Sequence, residues 1–196
     1  NDSSSLIKLN YCFESGDLTL EYNGVDIFND YADNSGSIGR ILSLNKELTI
    51  DNEIDKLRSV LNQGLINEES FQDFKKSISP FFFLFESGEY EIYTINLNLS
   101  EFNVVEPNEN WYPFKTDSIL LTQHKESLSQ ITIKKYIKSL DKQNKPLIMG
   151  VQYSYTSGNL LEETPIIILD GHHKMMAYIE KKINPRFLIF NKQMEL

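Results

Sequence analysis

The chain has 196 residues, of which 40% are hydrophobic and 24% are charged, the balance of an ordinary globular protein. Its 19 Lys and Arg face 28 Asp and Glu, and this net charge of −9 argues against a broad basic face for nucleic acids. The longest apolar runs, 81–85 and 166–169, are far too short for a membrane-spanning helix. A single cysteine, Cys12, excludes an intrachain disulfide and favours a cytoplasmic location.

Residues 1–88 are predicted to form an N-terminal α+β region of unknown role. Alternating apolar and polar residues around a Glu-Ser-Gly turn predict a β-hairpin, and apolar residues spaced by three and four predict helices. A segment rich in Asn, Asp, Ser and Gly predicts a loop between them. In chain order the predicted elements are strands at 6–13 and 17–22, a loop at 29–39, helices at 51–64 and 68–78, and a strand at 80–86.

Residues 89–196 are predicted to form a second α+β unit, a mixed sheet with helices, against which the N-terminal region packs. A Ser-Gly turn joins its first strand to a strand of the N-terminal region, and prolines end several elements. The predicted elements are a strand at 89–99, a loop at 107–113, a helix at 129–142, a strand at 147–155, a loop at 156–163, a strand at 165–169, a helix at 172–182 and a strand at 187–190.

One segment of the second unit carries a chemical signal. An aliphatic strand runs into Asp170 and Gly171, and the following helix begins with His172, His173 and Lys174. A helix N-terminus offers free N–H groups and a partial positive charge, which suit an anion. Gly171 permits a tight turn and the close approach of a ligand, and Lys174 adds a point charge. We therefore expect a phosphate site at this turn.

Asp170 carries the wrong charge for a bare phosphate site. Three functional roles would explain it: holding a magnesium ion that bridges phosphates, orienting a histidine, or acting on a hydroxyl group. The alternative is structural, because an Asp before a helix also serves as an N-cap. A zinc site from Asp170, His172 and His124 is a weaker candidate, since the spacing of these residues is not that of metal ligands.

The sequence ILDGHHKMMAY resembles the DGHHR, DGHTR or GCHR loop of the ParB/sulfiredoxin-like superfamily. The likeness extends over about 104–190, under half of the chain. It implies that the loop holds the phosphates of a nucleotide, through Gly171, His172, His173 and Lys174. The nucleotide expected is ATP or ADP rather than CTP, with Mg²⁺ bound at Asp170.

Departures from the superfamily pattern narrow the expected activity. Lys174 stands where Arg is usual, which keeps the charge but loses bidentate geometry. The loop has no Cys for sulfinic-acid reduction, and the chain shows neither an Arg-rich loop nor a helix-turn-helix domain like those of partition proteins. The free serine kinase branch has a Pro-x-Glu element, which 107–109 resembles. By that resemblance Glu109 is the catalytic base for an acceptor hydroxyl, and Asp170 holds the metal or the acceptor. The alternative is that Glu109 lies on a solvated loop.

The expected function is thus nucleotide binding through the loop, extended by the resemblance to phosphate transfer onto a small-molecule or protein acceptor, or to nucleotide hydrolysis. The alternative is a non-catalytic ParB-like module that acts through protein contacts, with residues 1–88 as its partner surface. Turnover of ATP or ADP with magnesium separates the two hypotheses.

Overall fold

The computed structural model describes most of the second half of the chain and parts of the first. The described residues are 7–11, 18–22, 25–29, 58–64, 88–106, 117–142, 145–157 and 160–194. The predicted loops at 29–39 and 107–113, the predicted helix at 68–78 and the predicted strand at 80–86 lie wholly or almost wholly outside these residues.

The N-terminal strands form a small antiparallel sheet. It has the order β1-β2-β3, with β1 at Ile7–Tyr11, β2 at Leu18–Tyr22 and β3 at Val25–Asn29. The pairing of β1 with β2 confirms the predicted hairpin. The sequence analysis did not predict β3, which follows β2 after two residues and pairs with it through an irregular register.

The larger sheet has seven strands and mixed directions. Its main path runs β4-β10-β7-β9-β6-β5, and β8 pairs with β7 outside that path. Neighbours along this path are antiparallel, parallel, antiparallel, parallel and parallel in turn. The strands are β4 Glu89–Asn96, β5 Asn103–Val105, β6 Ser118–Leu120, β7 Leu147–Ser157, β8 Leu160–Glu163, β9 Ile166–Asp170 and β10 Arg186–Met194.

Three α-helices accompany this sheet in the described part of the chain. Helix α1 covers 58–63, within the predicted helix at 51–64. Helix α2 is Gln130–Asp141 and helix α3 is His172–Lys181, both close to their predicted bounds. A short 3-10 turn, Lys125–Ser127, precedes α2. The mixed sheet and the helices confirm the predicted α+β class. No helix among the described residues is long and apolar enough to cross a bilayer.

The core lies between the sheet and the pair of packed helices α2 and α3. Consecutive residues of β9 are buried, because this strand is central and covered on both faces. The apolar faces of α2 and α3 close the core at Ile133, Leu140, Met175 and Tyr178. Tyr178 also donates its hydroxyl to the carbonyl of Pro146 over 2.9 Å, which ties α3 to the start of β7.

One predicted loop is wrong. Residues 156–163 were expected to be irregular, but β7 extends to Ser157 and β8 pairs with it antiparallel through Glu163. The physical reason is a hairpin: a short connection lets the chain return along β7, and pairing satisfies its backbone groups. The predicted strands at 147–155 and 187–190 are real but longer, and the short strands β5 and β6 were not predicted.

Candidate functional site

The turn between β9 and α3 is built around Gly171. Its φ of +106° lies in a region that side chains with a Cβ rarely adopt, and a Cβ added here would sit 3.2 Å from the Cα of Ile148. Gly171 is the N-cap of α3, and its carbonyl accepts the first helical hydrogen bond, from the N–H of Met175 at 2.8 Å. Since glycine has no side chain to cap the helix, the N–H groups of its first turn receive no N-cap side-chain acceptor.

Asp170 ends β9 and pairs with a lysine one turn into α3. Its Oδ2 lies 3.3 Å from Nζ of Lys174, and its side chain is 19% exposed. The structural alternative for this residue is therefore not a helix cap, because Gly171 holds the N-cap position. The carboxylate instead acts as the partner of a buried cation.

Lys174 points into the protein. Its side chain is 3% exposed, and Nζ donates to the carbonyl of Leu147 at 3.0 Å as well as to Asp170. The ammonium group also lies 5.9 Å from the centre of the Tyr136 ring. Burial lowers the pKa of Lys174, while the negative charge of Asp170 opposes that shift. The structure thus places this predicted phosphate ligand with two protein acceptors, away from solvent.

His172 is buried and faces the end of β6. The backbone N–H of Thr122 donates to its Nε2 at 3.2 Å, and the Thr122 hydroxyl lies 2.9 Å from the same nitrogen. That hydroxyl has one proton, and the carbonyl of Ile168 lies 3.0 Å away as a second acceptor for it. Burial lowers the pKa of His172 to about 4, so the ring is neutral at pH 7. A hydroxyl beside an imidazole resembles a nucleophile with its base, but both side chains are inside the protein.

His173 is partly exposed and faces the start of α2. Its Nε2 accepts the backbone N–H of Ser129, the N-cap of α2, over 3.1 Å. Burial lowers the pKa of His173, and the charge of Asp170 opposes the shift. The adjacent histidines thus have different surroundings, one inside the core and one between two helix starts.

The structure locates only one of the two carboxylates predicted for the catalytic and metal site. Glu109 lies outside the described residues, so its role stays a prediction. Among the residues that the structure does describe, no group of three His, Cys, Asp or Glu side chains could hold a metal ion. Asp170 is accordingly the one carboxylate of the predicted site that can be located.

Several residues that shape the site were not singled out from the sequence. Thr122 and Ser129 hold the two histidines, and Tyr136 lies over Lys174. Arg58 of α1 is close enough for its charge to lower the pKa of Lys174, after the larger effect of burial. Ser129 alone had a sequence signal, as the polar residue that opens an amphipathic helix.

The site therefore combines a glycine-capped helix start, the partly exposed ring of His173 on its rim and the Asp170–Lys174 ion pair. Neither α2 nor α3 has an acidic residue in its first turn, so the positive ends of both helices remain uncompensated by a carboxylate there. Such an arrangement suits a small anion held by backbone N–H groups.

The comparisons with known proteins identify no family for this chain. No protein-family model matches the sequence, and searches against curated proteins and against solved structures found no similar protein. The likeness to the ParB/sulfiredoxin-like superfamily therefore rests on the loop residues themselves and stays a prediction.

Proposed function

We propose that this protein binds the phosphate groups of a nucleotide at the turn between β9 and α3. The observation that carries the proposal is the N-cap at Gly171, whose left-handed backbone leaves the first-turn N–H groups without a side-chain cap. Backbone N–H groups at a helix start bind phosphate through both hydrogen bonds and the helix dipole.

The geometry favours different roles for the backbone groups and the side chains of the predicted ligands. The backbone N–H groups of His172, His173 and Lys174 supply the contacts to phosphate, and the partly exposed ring of His173 lines the approach. The side chains of His172 and Lys174 act from inside, since both are buried and hydrogen bonded. Lys174 supports the site because it neutralises Asp170, whose charge would otherwise repel a phosphate.

Phosphate transfer is the catalytic extension of the proposal. In it, Asp170 holds Mg²⁺ or the acceptor and Glu109 removes the proton from an acceptor hydroxyl, with ATP or ADP as the nucleotide. Its support is the likeness of the loop to the free serine kinase branch. The proposed location is the reducing cytoplasm, which the single cysteine of the chain favours.

One observation favours the second candidate, a non-catalytic binding module. The two side chains with the most obvious use in phosphate chemistry, His172 and Lys174, are already engaged by Thr122, Leu147 and Asp170. A turn that serves only as a scaffold would keep these internal contacts.

A thermal-shift panel with ATP, ADP, CTP and GTP, each with and without Mg²⁺, tests the proposal. We expect ATP or ADP to raise the melting temperature. If the protein is a phosphotransferase or hydrolase, a coupled assay should then detect phosphate transfer or phosphate release. Binding without turnover supports the module. No shift with any nucleotide at millimolar concentration contradicts nucleotide binding altogether.

A further inference from the structure

The starts of α2 and α3 meet at one imidazole. His173 lies in the first turn of α3, and its Nε2 accepts the N–H of Ser129, the residue that caps α2. We propose that His173 is a proton-sensitive latch that joins the start of α2 to the start of α3 when neutral and releases it when protonated.

The direction of the hydrogen bond carries this inference. A backbone N–H can only donate, so Nε2 of His173 must keep its lone pair for the 3.1 Å contact with Ser129. Protonation places an N–H on Nε2 and turns the contact into two opposed donors. The imidazolium would also lie at the positive ends of two helices, where a cation is disfavoured.

The charged groups around His173 oppose each other. Asp170, at the end of β9, favours the imidazolium, whereas burial favours the neutral ring and has the larger effect on its pKa. His172 is the neighbouring ring on α3. The first turn of α2 carries no acidic residue, and the 3-10 turn before it carries Glu126 and Lys125, the latter paired with Glu106 at 2.8 Å. No carboxylate in the first turn of α2 can therefore replace the lost bond.

The neighbouring histidine makes the release selective. His172 is 3% exposed and its ring is bonded to Thr122, not to α2, so protonation of His173 leaves that contact in place. Acidification that protonates His173 therefore frees α2 from α3 at Ser129, while Thr122 stays attached to His172. This inference does not depend on nucleotide binding.

The test is an NMR titration of the whole chain. The imidazole signals of His173 give its protonation, and hydrogen exchange gives the protection factor of the Ser129 amide. We expect that protection to fall about tenfold as His173 becomes protonated, with the same midpoint as the His173 titration. His173→Gln is the matched control, because its amide oxygen reaches the position of Nε2 and does not titrate, so protection should be independent of pH.

Two results would overturn the latch. One is Ser129 protection that stays constant while His173 titrates in the unmodified protein. The other is a fall in protection whose midpoint differs from that of His173, or which persists unchanged in His173→Gln. The midpoint comparison within the unmodified protein decides the question even if the Gln side chain fails to reach Ser129.

Discussion

The two ends of β7 differ in how their polar groups are partnered. At its start, Leu147 and Met149 lie beside the turn, where an ion pair and a glycine-capped helix meet the strand. Toward its end, the buried side chains of Gln152 and Ser154 bond across neighbouring strands, Gln152 to the carbonyl of Thr164 at 2.9 Å and Ser154 to Asn191 at 2.7 Å. Both side chains also donate to the carboxylate of Glu163, at 3.3 and 3.4 Å.

This difference separates polar groups that hold the fold from those that are proposed to receive a ligand. The network at the end of β7 closes on itself through neighbouring strands, so burial is compensated within the protein. At the start of β7 the side chains are also satisfied, but the first turn of α3 has no N-cap side chain as acceptor. The candidate site is thus defined by backbone groups more than by the residues that make its sequence conspicuous.

The largest expected effect comes from breaking the buried ion pair. Lys174→Met removes the cation and leaves the Asp170 carboxylate without its partner, so the free energy of unfolding should fall by roughly 3 kcal/mol. Chemical denaturation measures it. Lys181→Met is the matched control on the same helix, because its 2.6 Å pair with Asp141 is exposed and should cost under about 1 kcal/mol. Equal losses in the two variants would contradict the internal role of Lys174.

A pH effect of similar size is expected from His172. Burial lowers its pKa from 6.5 to about 4. Between these two pH values the unfolded chain binds a proton at this ring, whereas the folded chain keeps the ring neutral. Stability should therefore fall as the pH drops below about 6.5 and flatten near 4, with a total loss of roughly 3 kcal/mol. Denaturation at pH 7, 6 and 5 should show a steeper decline for the unmodified protein than for His172→Gln. If the unfolding free energies of the two proteins decline in parallel with falling pH, the loss of stability does not come from His172.

Thr122→Val tests the contact that holds His172. The variant keeps the shape and the backbone N–H but removes the hydroxyl, so we expect a loss of about 1–2 kcal/mol in unfolding free energy. Thr122→Ser retains the hydroxyl and should recover most of that loss. If Thr122→Val is as stable as the unmodified protein, the hydroxyl contributes nothing to stability through His172 at 2.9 Å or through the carbonyl of Ile168 at 3.0 Å.

Ser154→Ala probes the opposite end of β7. It removes one neutral partner of Asn191 and should lower stability by about 1 kcal/mol. Because this network closes on itself, nucleotide affinity should stay unchanged, as isothermal titration calorimetry can check. A clear loss of affinity would show that the two ends of β7 are not separate in function.

The local features of the turn were predictable, whereas the directions of its side chains were not. The aliphatic run before Asp170 predicted β9, and the Asp-Gly step predicted a helix that begins at His172. The burial of Lys174 depends on Leu147 and the partner of His172 is Thr122, contacts across 27 and 50 positions that no local pattern encodes. Strand β8 did have a missed signal, because Gly158 and Asn159 follow β7 directly and favour a hairpin.

Amide chemical shifts in a nucleotide titration test the central claim most directly. We expect ADP, with and without Mg²⁺, to move the backbone signals of Gly171, His172 and His173, while those of Ser154 and Asn191 stay in place. Signals at the start of α3 that remain unmoved at millimolar ADP and ATP, or shifts confined to the end of β7, would contradict an anion site at this turn.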